Sequence, residues 1–359
     1  TSTAEAPPPL HDDQVQIRRG VGEVNEIRGV LRHCLQHRLP WDEVELLYTD
    51  TDQYVSLAYE MISSLSQPGG ELGDELAVTF AEGIPCWYSR PGRALLAWIH
   101  WTSNDCQESE LVRMVKEGLL RFGEEEENLD FVRLARQVRG LGAGFGRNRF
   151  LPRIIGRQKG LKNRLQQDGE PLPGGEEPMT PATRVGLERD LRDLEVLEQL
   201  LVDLLEVTPA ETASQAKVVL AARDYLESLA RSVSKLDRFA HQKLIDELTD
   251  MAHWLQRGGD ESTIDVWDWL RTLPSDTRVM GSTPRPGCLH VDSIHRGGHS
   301  GRGTTFIVGL DDGRFPGSGI QDPLLLDSER GKLSSELPTA AKRREERLQA
   351  FTSLLARLR

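Results

Sequence analysis

The sequence predicts a mixed α/β protein with parallel strands, its α/β part interrupted by a long all-helical stretch. Three observations carry this expectation. Helical and strand patterns alternate over residues 23–101, helical periodicity stands alone from about residue 105 to 288, and strand patterns return from Cys288 before a final helix. Helices alternating with short apolar runs are the signature of βαβ units, hence of a parallel sheet. A length of 359 residues fits about two domains, or one large domain with an insertion.

Taken in order, Glu23–Arg38 places Val24, Ile27, Val30, Leu31, Cys34 and Leu35 at helical spacing, and Leu39-Pro40 closes that helix. Asp42–Tyr48 (DEVELLY) is a short apolar run ending in the turn-prone TDTD and reads as a buried strand. A second helix follows at Tyr54–Leu65, a loop at Pro68–Asp74, a strand at Glu75–Phe80, and a helix from Gly92 to Trp101. In the middle part, Leu187, Leu191, Leu194, Leu197, Leu201, Leu204 and Leu205 form one long stripe, and Val218–Leu236 and Leu244–Leu255 form two more. Asp168–Pro181 (DGEPLPGGEEPMTP) is a loop by composition. Strands return at Leu289–Ile294 and Thr305–Leu310, then come a Gly/Pro turn and a helix over Ala340–Arg359. The expected division is a disordered Pro-rich lead at 1–17, a discontinuous α/β domain at 18–105 and 285–359, and a helical insertion at 106–284. No internal repeat marks a solenoid.

Composition narrows the function. An apolar fraction of 38% and a charged fraction of 28% describe an ordinary folded chain, which excludes disorder, collagen and a disulfide scaffold. No run approaches the roughly 18 to 20 apolar residues of a membrane span, and Thr1–Asp13 lacks a signal-peptide profile, so a cytoplasmic location is expected. Cys34, Cys86, Cys106 and Cys288 are far apart, as befits reduced thiols. The chain opens without Met and ends inside a helical pattern, and is expected to be part of something longer.

Net charge is −12, which on the global count argues against a nucleic-acid coat or a polybasic membrane binder. The distribution says otherwise. Phe131–Arg164 holds ten Lys and Arg and no Asp or Glu, leaving −22 on the remainder. At its centre Gly140-Leu-Gly-Ala-Gly-Phe-Gly146 can bring backbone close to a phosphate, and Arg147, Arg149, Arg153, Arg157 and Lys159 follow with Phe150 alongside. These are candidate nucleic-acid contacts. The competing reading is a solvated face paired with the acidic run Glu124–Glu127, or an arginine-rich seam between helices.

Two other patterns are weaker. Gly298-His-Ser-Gly-Arg-Gly303-Thr304-Thr305 nearly fits a phosphate-binding loop, but Thr304 stands where a Lys is required, and a strand follows where a helix should. His290, His295 and His299, with Cys288 and Asp292 nearby, lack the spacing that would put three imidazoles on one face.

Read together, the two ends resemble a known family. Gly22–Arg32 (GEVNEIRGVLR) followed by Leu39–Tyr48 (LPWDEVELLY) looks like the opening of the second motor domain of UvrD/Rep-like superfamily-one helicases. Phe80–Pro85 (FAEGIP) and Arg90–Leu96 (RPGRALL) are closest to the AddB/RecB-type helicase-nuclease branch. Leu289–His295 (LHVDSIH), Phe306–Pro316 (FIVGLDDGRFP) and Asp322–Arg330 (DPLLLDSER) are similar to the motif V region and its continuations, and Arg343–Arg359 occupies the place of motif VI.

The resemblance implies a RecA-like α/β domain with a helical insertion, from a bacterial DNA repair and recombination protein. It implies single-strand phosphate contacts at Ser293 and His295, with Arg296 and Arg302 nearby, and a nucleotide-sensing place for Arg357. The basic part of the insertion would touch duplex DNA. ATP and Mg are implied for a parent helicase or exonuclease, not for this segment, which carries no Walker motif and is expected to be non-catalytic alone. A nuclease-helicase subunit is the implied protein partner, and no membrane is expected. The chain departs from the family where it reads Arg296–Gly303 (RGGHSGRG) after the motif V His, and Leu354–Leu358 (LLARL) in place of a Thr-Arg-Ala run. The alternative those departures favour is a helicase-like scaffold that docks a partner subunit and binds neither ATP nor DNA.

Overall fold

The computed structural model describes residues 15–65, 77–123, 129–166, 180–210, 212–258, 265–317, 319, 321–322, 324–334 and 336–358. The Pro-rich lead up to residue 14, the loop expected at Pro68–Asp74, the acidic run Glu124–Glu127 and nearly all of the loop at 168–181 lie outside the described residues. In chain order the elements begin α1 (Glu23–His37), β1 (Val44–Tyr48), α2 (Thr51–Leu65), β2 (Val78–Phe80), β3 (Ile84–Pro85), α3 (Arg90–Ser103), α4 (Glu108–Lys116) and α5 (Phe131–Arg139). They continue α6 (Phe150–Gln166), α7 (Pro181–Glu206), α8 (Gln215–Leu229), α9 (Lys235–Gln256) and α10 (Val266–Asp276). The last are β4 (Arg278–Val279), β5 (Leu289–Ser293), β6 (Thr304–Val308), α11 (Asp327–Leu333) and α12 (Ala340–Leu355). The chain divides into two compact units, 1–82 with 281–359, and 83–280.

The first unit is mixed α/β. Its four strands run parallel in the order β2-β5-β1-β6. Parallel partners share a face, so the register puts Phe80, Val291, Leu46 and Phe306 on one side and Thr79, His290, Glu45 and Thr305 on the other. The apolar side is covered by α1 and α2, with His33 edge-on to Phe306 at 5.5 Å and Tyr59 against Phe80 at 6.4 Å. On the opposite side Leu47 and Ile307 pack with Phe351, Leu354 and Leu358 at the end of the chain. α1 stops where the sequence says it should: Arg38 turns left-handed (φ 52°), the Leu39 N–H closes on the Cys34 carbonyl, and Pro40 follows.

The second unit is almost wholly helical, with one small antiparallel pair, β3 with β4. The sequence pattern predicts neither strand of that pair: it places no strand at Ile84–Pro85 and none between about residue 105 and Cys288. The reading also groups the Gly92–Trp101 helix with the α/β part, whereas α3 belongs to the helical unit. Its aromatic residues explain why: Trp98 stacks on Tyr225 of α8 at 5.3 Å, and Trp101 meets Phe150 of α6 at 6.5 Å. Ser89 caps α3 by accepting the Gly92 N–H, Pro91 sits in its first turn, and a Cβ on Gly92 would lie 2.1 Å from the Cys86 carbonyl oxygen.

The single helix expected over Val218–Leu236 is two. Between α8 and α9 the backbone turns extended and pairs with Leu119–Arg121, and α9 restarts at a capping box of Ser234 and Asp237. The Asp237 carboxylate also takes the Arg90 backbone N–H and guanidinium, at 2.8 and 3.0 Å. Before the last helix, α11 forms a short helix that the sequence reading left in a turn.

Candidate nucleic-acid interface

The sites expected from the sequence fall on three different places. In a parallel sheet all carboxyl ends of the strands share one edge, where open α/β folds place their ligands. Ser293 ends β5 there, and its carbonyl accepts the Arg296 and Gly297 N–H groups at 3.1 and 2.8 Å, which closes a tight turn. Only a glycine fits at 297, because a Cβ would lie 2.1 Å from the Leu47 side chain. The turn buries Ser293 and projects His295 and Arg296 into solvent. Arg296 lies 3.7 Å from the Glu82 carboxylate. From the end of α12 the exposed Arg357 reaches the Gly297 carbonyl at 3.5 Å, so the structure brings Arg357, His295 and Arg296 to one edge.

Arg302 is not with them. It precedes β6 and therefore sits at the opposite, amino-terminal edge. It is 8% exposed, and its guanidinium donates to the carbonyls of Trp41, Cys288 and Arg285 at 2.9, 2.7 and 3.2 Å. Those carbonyls belong to the segments leading into β1 and β5, so Arg302 ties strand entries together. It is withdrawn as a phosphate contact.

The loop that nearly fits a phosphate-binding sequence turns its amides toward carboxylates. Gly298 N–H faces Glu45 and Gly303 N–H faces Glu43, both at 3.4 Å. The histidines do not converge either. His290 is buried against the Thr79 hydroxyl at 2.9 Å, and burial, with the charge of Arg302, pulls its pKa down to about 4. His295 and His299 are exposed, and among the described residues no three His, Cys, Asp or Glu side chains could hold a metal.

The sequence pattern does not announce the polar row Thr79–His290–Glu45–Thr305, of which all but the half-buried Thr305 are buried. Burial pushes the Glu45 carboxyl up from its ordinary range, and Asp292 on the same face is shifted the same way for the same reason. The available signal was Glu45 within DEVELLY and the alternation of His290 and Asp292 within LHVDS, polar side chains that fall on one face of their strands.

In the helical unit the basic segment separates into two kinds of arginine. Arg133 forms a two-pronged pair with Asp193 of α7, whose carboxylate is buried. Arg147 donates to the carbonyls of Leu205, Thr208 and Pro209 and so satisfies the carboxyl end of α7. It too is withdrawn from the candidate contacts.

Arg149, Arg153 and Arg157 are exposed and recur every four residues, spacing them along one face at about 6 Å per step. They lie across the glycine turn: Arg153 donates to the Leu141 carbonyl at 3.3 Å, and a Cβ on Gly140 would come within 2.3 Å of the Arg157 guanidinium. Phe150, the aromatic expected beside the guanidiniums, is buried against Trp101 instead, and the exposed ring is Phe145 in the turn, at 59%.

The same face continues through Gly156 and Gly160 to Arg164. Both glycines are exposed with open space around them, although each costs a helix about 1 kcal/mol relative to Ala. Lys159 is exposed but, two residues past Arg157, points to the opposite flank of α6. Lys162 pairs with Glu195 at 3.3 Å. Period-four spacing of the arginines was visible in the sequence; the loss of Arg147 to a helix end was not.

No protein-family model and no curated protein sequence matches this chain. Among the described residues, no helix is long and apolar enough to cross a membrane.

Proposed function

We propose that the chain binds nucleic acid as the second motor domain, with its helical insertion, of a UvrD/Rep-like helicase or helicase-nuclease acting in DNA double-strand break repair. The observation that carries the reading is the stripe Arg149–Arg153–Arg157–Arg164, interleaved with open glycines and flanked by the exposed Phe145. Guanidiniums without carboxylate partners among the described residues, with Gly156 and Gly160 open on the same face, suit a phosphate backbone that must come close, and an exposed ring beside them suits a base. A parallel sheet in the order β2-β5-β1-β6, with helices on both faces and a helical unit inserted between β2 and β5, supports the RecA-like assignment.

In this reading His295 and Arg296 contact single-strand phosphates at the sheet edge, and Arg357 beside them faces the nucleotide. ATP and Mg belong to the parent's first motor domain, and the segment alone turns nothing over. Binding is salt-sensitive and nearly indifferent to sequence. The test is titration of labelled single-stranded and forked DNA at low and moderate salt. Measurable affinity that falls with salt is expected; absence of affinity at low salt sinks the reading.

A second reading is a helicase-like scaffold that docks a nuclease-helicase subunit without touching DNA. What favours it is the acidic surrounding of the sheet edge. Glu82 faces Arg296, and Arg314 is enclosed by Glu23, Asp50 and Asp311. Under that reading the isolated chain ignores DNA at every salt concentration.

A further inference from the structure

Beside the end of β6, in the α/β unit, lies a groove of about 430 Å³ between α12 and the turn that follows Phe315-Pro316. Its size is that of a small-molecule site. Three arginines of α12, Arg343, Arg344 and Arg347, line one wall; Gly317, Gly319 and Asp322 lie on the other. Arg347 donates to the Pro316 carbonyl at 3.0 Å. Arg343 and Arg344 have no hydrogen-bond or ion-pair partner among the described residues, and the Asp322 carboxylate is already engaged by Arg330 at 2.9 Å.

This arrangement works against the helix that carries it. Arg343 and Arg344 stand in the second turn of α12, near the positive end of its dipole, where cations are disfavoured. Arg343 and Arg347 are also like charges four residues apart, which repel. Glu345 and Glu346 are available in the same helix, yet among the described residues neither forms an ion pair with these arginines.

Across the groove, beside Gln321 and Asp322, the turn carries two glycines. Gly317 and Gly319 are both left-handed (φ 87° and 61°), and a Cβ at Gly317 would come 2.9 Å from the Arg347 guanidinium. Three guanidiniums lining one groove, two of them without a partner among the described residues, call for a compact anion of more than one charge. Planar forks match phosphate oxygens two at a time.

We propose that this groove binds a multiply charged phosphate group held by Arg343, Arg344 and Arg347. The group can be carried by a small phosphorylated molecule or by a nucleic-acid strand. The proposal is independent of the Arg149–Arg157 face, which lies in the other unit, so the two fail separately.

The test is calorimetric titration of the intact chain with inorganic pyrophosphate, at ionic strength held constant with chloride. One saturable site is expected. Removing a guanidinium that bonds a charged oxygen weakens binding about ten- to hundredfold, so the double variant R343A/R344A should abolish saturation in the same range, while K217E, at an exposed cation outside both basic faces, leaves it unchanged. R344E, which alters an exposed side chain, keeps the test decisive should the double variant not fold. No saturable binding to the wild type, or affinity unchanged in folded R344E, overturns the proposal. A short oligothymidylate that displaces pyrophosphate assigns the phosphate to a strand; failure to displace assigns it to a small molecule.

Discussion

Replacing Arg149, Arg153 and Arg157 together by Glu separates a phosphate-tracking face from a merely basic one. Each phosphate neutralised on a single strand contributes about 0.7 to the slope of log affinity against log salt. Three contacts therefore contribute about 2, equivalent to a roughly twentyfold loss of affinity between about 50 and 200 mM salt. The triple variant should bind more weakly at low salt and also show a slope smaller by about 2. Anisotropy titrations of labelled oligothymidylate at four or five salt concentrations measure both. None of the three side chains takes part in an ion pair among the described residues, so the melting temperature should hardly move. R147A supplies the contrast, because it unties three carbonyls at the end of α7 and should cost on the order of 2 kcal/mol while leaving the salt slope of the folded protein unchanged. A triple variant with the wild-type slope would refute the reasoning, as would an R147A variant that is fully stable and fails to bind.

Other expectations concern stability. R302A removes a buried donor to three carbonyls and should cost about 2 to 4 kcal/mol in denaturant melts, with DNA affinity of the folded fraction unaltered; loss of affinity at full stability would restore Arg302 as a contact. G92A forces a methyl into the Cys86 carbonyl and should cost about 1 to 3 kcal/mol, whereas G156A, in open space, should stabilise α6 by up to about 1 kcal/mol. Buried His290 is held neutral to about pH 4, while the unfolded chain takes up its proton near pH 6.5. Between those values the unfolded state binds more protons, so stability falls as pH drops from about 6.5 to 4, by up to about 3 kcal/mol from this group. Glu45, whose carboxyl is raised, acts in the opposite sense above its unfolded value, so H290Q is compared with wild type over that range; equal pH dependence in the two proteins rejects the assignment.

Much of the fold was legible because its signals are local. α1 stops at Arg38 and Pro40 as its sequence states, and β1, β5 and β6 fall within two residues of where their apolar runs place them. The errors arose where a residue's role depends on a distant partner. Nothing near Trp98 reveals that its ring belongs against Tyr225, 127 positions on, and so the Gly92–Trp101 helix was assigned to the α/β part. Nothing within Val218–Leu236 reveals that Leu229 and Arg231 will pair with Leu119 and Arg121 and split the helix.

The candidate site shows the same division more sharply, because arginine serves two masters with one chemistry. A guanidinium is a rigid set of five donors, equally fitted to phosphate oxygens and to the carbonyls left open at the ends of helices and the entries of strands. Arg147 and Arg302 take the second use, and each does so where three carbonyls converge within reach, those of one helix end for Arg147 and of two strand entries for Arg302. Arg149 and Arg153 each reach a single carbonyl, of Phe145 and Leu141, and Arg157 reaches none among the described residues. What distinguishes them in sequence is that they repeat every four residues: a helix end needs one arginine at one place, whereas a polymer of phosphates is met by several at a helical repeat. On that argument the net charge of −12 carries no information about binding, and neither does the count of ten cations between Phe131 and Arg164. The informative quantity is how many of those cations stand in register with no carboxylate and no cluster of carbonyls among the described residues to hold them.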